Sequence, residues 1–88
     1  MKHAGAAALD RIEPLLVRIR RHTALKEKSR GCFYLKQKGF LHFHEDPAGM
    51  FADLSPAGGK GFERLKVDET GGADDLLRRI ADILGPAA

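Results

Sequence analysis

The sequence predicts a single α+β domain in the order α-β-β-β-β-α: a four-stranded antiparallel meander with two helices on one face. Three observations predict it. Apolar residues recur at spacings of three and four near each end, around Leu9, Ile12, Leu16 and Ile19 and again around Leu76, Leu77, Ile80, Ile83 and Leu84, as on helices with one buried stripe. Between them apolar and polar residues alternate, as on half-buried strands. The segments separating these runs are short and rich in Gly, Pro and Asp, which suits hairpins rather than crossovers.

The first helix is expected from Leu9 to His22. Pro14 lies inside it and is tolerable only in a first turn, where its missing N–H has no helical partner. Regular helix is therefore expected to begin near Asp10 or Glu13, after a loose lead-in. Strands are expected at Cys32–Lys36, Phe40–His44, Met50–Leu54 and Phe62–Val67. Gln37-Lys38-Gly39 is read as the first hairpin turn, with glycine supplying positive φ. Glu45 to Gly49 is read as the second, with Pro47 presetting φ. The stretch from Ser55 to Gly61 is read as a loose loop. Phe62 is out of phase with Leu65 and Val67, which suggests a bulge near Glu63-Arg64. The second helix is expected from Ala73 to Leu84, with Asp74 and Asp75 at its positive end and Gly85-Pro86 stopping it. Residues 1–7 and 85–88 lack large apolar anchors and are expected to fray.

The 88 residues are enough for one domain, expected to span 1–88, and 43% of them are hydrophobic. No apolar run approaches the roughly 18 residues that would cross a membrane. The single cysteine, Cys32, cannot close an intramolecular disulfide and suits a reducing compartment, so a cytoplasmic location is expected.

Charge is distributed unevenly. From Arg11 to Lys38 there are nine basic and two acidic residues, a surplus of seven positive charges. From Gly39 to Ala88 there are five basic and nine acidic, a surplus of four negative ones. Such a basic segment can be a solvated face, half of an internal attraction, or a polyanion site. The polyanion candidates are Arg18, Arg20, Arg21, Lys26, Lys28, Arg30, Lys36 and Lys38. The helix-strand order resembles that of double-stranded-RNA-binding domains, but Ala73-Asp74-Asp75 is acidic where that family places lysines, which argues against it.

Alternation divides the strand residues between two faces. Phe33, Leu35, Leu41, Phe43, Met50, Ala52, Leu54, Leu65 and Val67 are expected to meet the helices. Cys32, Tyr34, Lys36, Phe40, His42, His44, Phe51 and Asp53 are expected on the other side. A solvated face would normally read Thr, Lys, Glu and Ser. The aromatic and imidazole set Tyr34, Phe40, His42, His44 and Phe51 therefore marks a surface that something covers: a second copy of the chain first, the chain's own termini or loop next, then stacked nucleic-acid bases or another protein.

Candidate chemistry gathers at His42-Phe43-His44-Glu45-Asp46. Residues two apart on a strand project together, so His42 and His44 could reach one metal, with Glu45 or Asp46 adding oxygen. Pairs of histidines at this spacing are common, no third nitrogen or sulfur stands at a convincing spacing, and no metal or other cofactor is assigned. A histidine-using enzyme would draw on His42, His44, Asp46 and Asp53. No nucleophile motif, phosphate-cradling glycine loop or His-Glu-x-x-His is present, so no catalytic residue is assigned and a binding module is preferred to an enzyme.

The run from Gly31 to Asp46, with Met50-Phe51-Ala52-Asp53-Leu54 after it, resembles the central hairpin of small bacterial proteins of the MmcQ/YjbR type. The likeness lies in an aromatic strand, a tight glycine turn, a second apolar strand and a carboxylate-bearing turn between terminal helices. It covers about a quarter of the chain. It implies a frataxin-like α+β domain of poorly understood role, for which DNA binding has been proposed from the fold, and it implies no catalytic residue. The expected function is that of a small conserved protein that binds a partner or itself through the aromatic and histidine face, the alternative being nucleic-acid binding through residues 18–38.

Overall fold

The computed structural model describes residues 1–56 and 61–87. The elements run β1 (Lys2–His3), α1 (Ala6–Arg11), α2 (Glu13–Ile19), β2 (Leu25–Ser29), β3 (Cys32–Leu35), β4 (Lys38–Asp46), β5 (Gly49–Leu54), β6 (Glu63–Lys66) and α3 (Gly72–Leu84). The fold is α+β, with helices at both ends of an antiparallel meander. The sheet order is β2-β3-β4-β5-β6, and β1 pairs with the far end of β4. Most of the expected loop, residues 57–60, lies outside the described residues. No helix among the described residues is long and apolar enough to cross a membrane.

Pro14 breaks the first helix as its missing donor requires. Ile12, at φ −109° and ψ 14°, ends α1 and begins α2, and Pro14 sits in the first turn of α2. Regular helix thus begins at Glu13, one of the two positions expected, and ends at Ile19, short of His22. The lead-in is itself a turn of helix that buries Ala8 and Leu9.

The meander has more than the four strands expected. β2 was hidden because Leu-Lys-Glu-Lys-Ser holds one apolar residue. It is an edge strand, and charges such as these disfavour edge-to-edge pairing. β1 was hidden because Lys2 and His3 carry no strand signal. They pair with Glu45 and His44, Ala4 N–H donates to the Phe43 carbonyl, and Gly5 N–H donates to Glu45 Oε2.

Two turn details correct the expected register. In the first hairpin, Leu35 pairs with Lys38, so the two-residue loop is Lys36-Gln37, and these two residues, not Gly39, take positive φ, at 50° and 69°. Positive φ at both central positions is the type I′ geometry that matches strand twist. Gly39 lies inside β4. The bulge also sits elsewhere: Phe33 pairs with Leu41 but Tyr34 with Gly39, leaving Phe40 as an extra residue. The β5–β6 ladder is regular from Phe51–Lys66 to Leu54–Glu63, so Phe62 needs no bulge there.

The core lies between the sheet and the helices. Leu16, Ile19, Leu76 and Ile80 meet Phe33, Leu41, Phe43, Met50, Ala52 and Leu54, with Leu35 and Leu65 packed at its margin. All nine residues expected on the helix face are in this cluster or against it. α3 approaches the sheet closely at Gly72, where a Cβ would stand 2.1 Å from the Lys66 carbonyl oxygen, so only glycine fits. Among the described residues all three helices contribute to this one core, which leaves the opposite face of the sheet without a helix.

Candidate functional site

The helix-free face is built by register. The β4–β5 hairpin turns through Pro47 and Ala48, with Asp46 opposite Gly49, and Asp46 Oδ2 accepts from Ala48 N–H. Counting back from that turn sets His44 opposite Phe51 and His42 opposite Asp53. The next ladder sets Asp53 opposite Arg64. β1 adds His3 beside His44.

Asp53 is the centre of this face. It is only 4% exposed although no helix covers it. Its lid is made of side chains. Arg64 donates from Nε to Oδ1 at 2.7 Å and from Nη2 to Oδ2 at 2.8 Å. His44 Nδ1 stands 3.1 Å and His42 Nε2 3.7 Å from Oδ2. The Arg64 hydrogen bonds hold the Asp53 carboxyl below its ordinary pKa, against the opposing effect of burial. Burial first, and the neighbouring His44 second, push the His42 imidazole below its ordinary value, so at neutral pH it offers a free lone pair. His44 Nδ1 is buried and, despite its short distance to Asp53, has no hydrogen bond of good geometry.

Rings enclose the cluster. The His3 centroid is 4.7 Å from that of His44 and 5.6 Å from that of His42, and Phe62 meets His42 edge-on at 5.2 Å. Beside them lies a groove of about 290 Å³ bounded by His3, Cys32, Tyr34, Gly39, His42 and Phe62. The missing side chain of Gly39 leaves its floor open. A larger concavity of about 550 Å³ between Met1, Lys2 and the β4–β5 turn contains no comparable cluster.

Of the residues singled out in the sequence for this face, Tyr34, His42, His44 and Phe51 stand on it, all half-buried. Phe40 does not. The bulge turns it into the core, where it is completely buried. Glu45 and Asp46, weighed as oxygen ligands, serve the N-terminus instead: Glu45 accepts from Gly5, and Asp46 lies 3.8 Å from the terminal ammonium. Asp53 supplies the oxygen at the cluster. The sequence does not single out Arg64, Phe62 or His3 for this face: Arg64 and His3 come from strands whose register the local sequence does not fix, and Phe62 stands just before β6, which begins at Glu63 and not at Phe62 as expected.

The basic segment is not one surface. Arg20 bridges Glu13 and Glu27 at 2.6 and 2.7 Å, Arg30 bridges Asp10 and Glu13 at 2.7 and 2.9 Å, and Arg18 lies 3.6 Å from Asp74. Lys26 and Lys28 lie on β2, and the Lys28 ammonium sits 4.4 Å from the centre of the Tyr34 ring. With Lys36 they surround a shallow concavity at Tyr34.

Compared with protein-family models, curated proteins and solved structures, the chain matches none.

Proposed function

We propose that this chain is a small binding module whose working surface is the helix-free face of its sheet, and that it takes a small planar ligand in the groove between Tyr34, His42 and Phe62. The supporting observation is Asp53, a buried carboxylate roofed by side chains on the face away from the core. A carboxylate is costly to bury unless it is paired, and here Arg64 and two imidazoles gather around one on the face away from the core. The groove beside it has flat rings as walls and a few convergent polar groups, which is the usual make-up of a small-ligand site.

Gly39 provides the test. A Cβ built there would stand 4.0 Å from the Tyr34 ring, an ordinary contact, so Gly39→Leu fills the groove without forcing the backbone. Amide spectra of the full chain, titrated with a panel of planar aromatic fragments, should shift at Tyr34, His42 and Phe62, and the shifts should vanish in Gly39→Leu. Sedimentation of the same samples separates ligand capture from self-association. A dimer dispersed by Tyr34→Ser with Phe62→Ser, and no fragment shifts, would replace the groove reading with pairing of two copies through this face.

Nucleic acid is the second reading. The concavity in which Lys26, Lys28 and Lys36 flank the half-buried Tyr34 ring is the observation that favours it, since cations beside an accessible aromatic edge can hold a phosphate next to a stacked base.

A further inference from the structure

We propose that His42, His44 and Asp53 form a binding site for a divalent first-row transition-metal ion, with zinc as the reference ion. The proposal deepens the reading of the helix-free face as the working surface, and rests on it.

Among the described residues, His42, His44 and Asp53 bring one donor atom each within 4.8 Å of one another. A tetrahedral shell with bonds of about 2.0–2.1 Å sets neighbouring donors about 3.3 Å apart. The two separations to Asp53 Oδ2, 3.1 Å from His44 Nδ1 and 3.7 Å from His42 Nε2, bracket that distance. The two nitrogens belong to side chains that leave the same strand on the same side, and their own separation is no more than 4.8 Å. Two imidazoles and a carboxylate suit borderline ions such as zinc, nickel and cobalt, rather than calcium or magnesium, which prefer all-oxygen shells.

A second observation is independent of the spacing. His44 Nδ1 is buried against a carboxylate and lacks a hydrogen bond. Buried polar atoms without a partner are uncommon, and an ion between this nitrogen and Asp53 Oδ2, which already accepts from Arg64 Nη2, would give the nitrogen its partner. Arg64 acts as an outer support. It fixes the carboxylate plane and uses one lone-pair direction on each oxygen, leaving the others available. Its positive charge opposes a dication, so the strength of the site rests on the two imidazoles. Three protein donors leave a further coordination position for water or a ligand atom. Because His42 belongs both to the cluster and to the groove wall, a bound ion would stand beside a molecule in the groove.

The experiment is a calorimetric titration of the full chain with zinc chloride, paired with thermal melts and imidazole nitrogen spectra. Saturation at one equivalent is expected, with a raised melting temperature and perturbed His42 and His44 rings. His42→Ala should weaken binding at least about tenfold, an effect commonly seen even for outer-shell losses. His42 is the more exposed of the two imidazoles, and the circular dichroism of that variant reports whether it folds. Should it not fold, the ring spectra of the wild type carry the test, since zinc on any other group leaves both imidazoles unshifted. Cys32→Ser should bind as the wild type does. No saturation at one equivalent, equal affinity in a folded His42→Ala, or loss of binding in Cys32→Ser would each overturn the site. Gly39→Leu closes the groove without touching a donor. Zinc binding retained there while fragment binding is lost supports both readings; in the wild type, fragment binding without zinc binding removes only the metal, and zinc binding without fragment binding removes only the groove ligand.

Discussion

Arg64 holds Asp53 through both carboxylate oxygens, across neighbouring strands in which the two residues are register partners. The pair is unequal: the Asp53 side chain is 6% exposed and the Arg64 side chain 50%. Removing the arginine therefore leaves a buried charge without its partner, whereas the exposed arginine could find water. Arg64→Ala should destabilise the fold, by less than the loss of a partner from a fully buried pair, because water reaches one side of this one. Urea unfolding at neutral pH measures this. Combining Arg64→Ala with Asp53→Asn should cost less than the two single losses added together, since they share one interaction. Strict additivity would mean that the clasp contributes nothing.

Phe40 tests the bulge. On a regular β4 it would lie beside His42 on the helix-free face, and its loss would cost little. In the core it is fully buried, as are Leu16 and Ile80. Phe40→Ala should cost about 3–5 kcal/mol and Leu16→Ala or Ile80→Ala about 2–5 kcal/mol, enough to bring a domain of this size close to unfolding. Tyr34→Ala, at a half-buried position on the open face, should cost less than half as much as Phe40→Ala. Equal melting temperatures for Phe40→Ala and Tyr34→Ala would place Phe40 back on the outer face.

The bulge also marks the limit of what alternation can reveal. Period-two patterning assigned nine core residues correctly because burial on one face is a strong and repeated signal. It misplaced Phe40 because an inserted residue leaves no trace in composition. The helices and their stripes were legible, as was the effect of Pro14. The edge strand β2 was not, since an edge needs little apolar surface and is protected by charge. At the site, the two imidazoles were visible as a pair on one strand. Their carboxylate partner was recoverable from the hairpin: a loop of only Pro47-Ala48 sets residues summing to 95 opposite each other, and so pairs His42 with Asp53. Reading the turn as five residues long hid that relationship. Arg64 and His3 depend on ladders that no local turn specifies.

Arg20 and Arg30 join three acids in a network around α1, α2 and β2, and this network should set the acid stability of the fold. Glu13 is held below its ordinary pKa of 4.5 by hydrogen bonds from Arg20 and then Arg30, and Glu27 is lowered by Arg20. A carboxylate with a depressed folded-state pKa contributes stability above its unfolded pKa and loses it as pH falls through the folded value. The contribution is therefore present at neutral pH and disappears below about 4.5. Arg20→Gln should melt below the wild type at neutral pH, and the gap should close as the pH falls below 4.5 and through the lowered values of Glu13 and Glu27. A gap of constant size throughout would mean that the network does not couple to folding.

The basic segment admits a quantitative test, because each phosphate neutralised on a duplex contributes about −0.9 to the slope of log affinity against log salt. Eight phosphate contacts from the residues between Arg18 and Lys38 would give a slope near −7. Arg18, Arg20 and Arg30 are already committed to Asp74, Glu13, Glu27 and Asp10. Turning them towards phosphates would expose those acids to the same polyanion, which costs what the new contact gains. Arg21, Lys26, Lys28, Lys36 and Lys38 have no such partner among the described residues, so a slope no steeper than about −5 is expected for any duplex affinity seen at low salt. Replacing Lys26, Lys28 and Lys36 by Gln should weaken that affinity and flatten the slope by up to about 3. Replacing Arg18, Arg20 and Arg30 by Gln should lower the melting temperature and leave the slope in place. A single strand should in addition respond to Tyr34→Ser, because stacking needs unpaired bases and the Tyr34 ring lies beside Lys28. A slope near −7, or a flattened slope in the triple arginine variant, would restore the whole segment as one phosphate surface. Absence of binding to either nucleic acid at low salt would remove the second reading and leave the groove and the His42–His44–Asp53 cluster as the working part of this face.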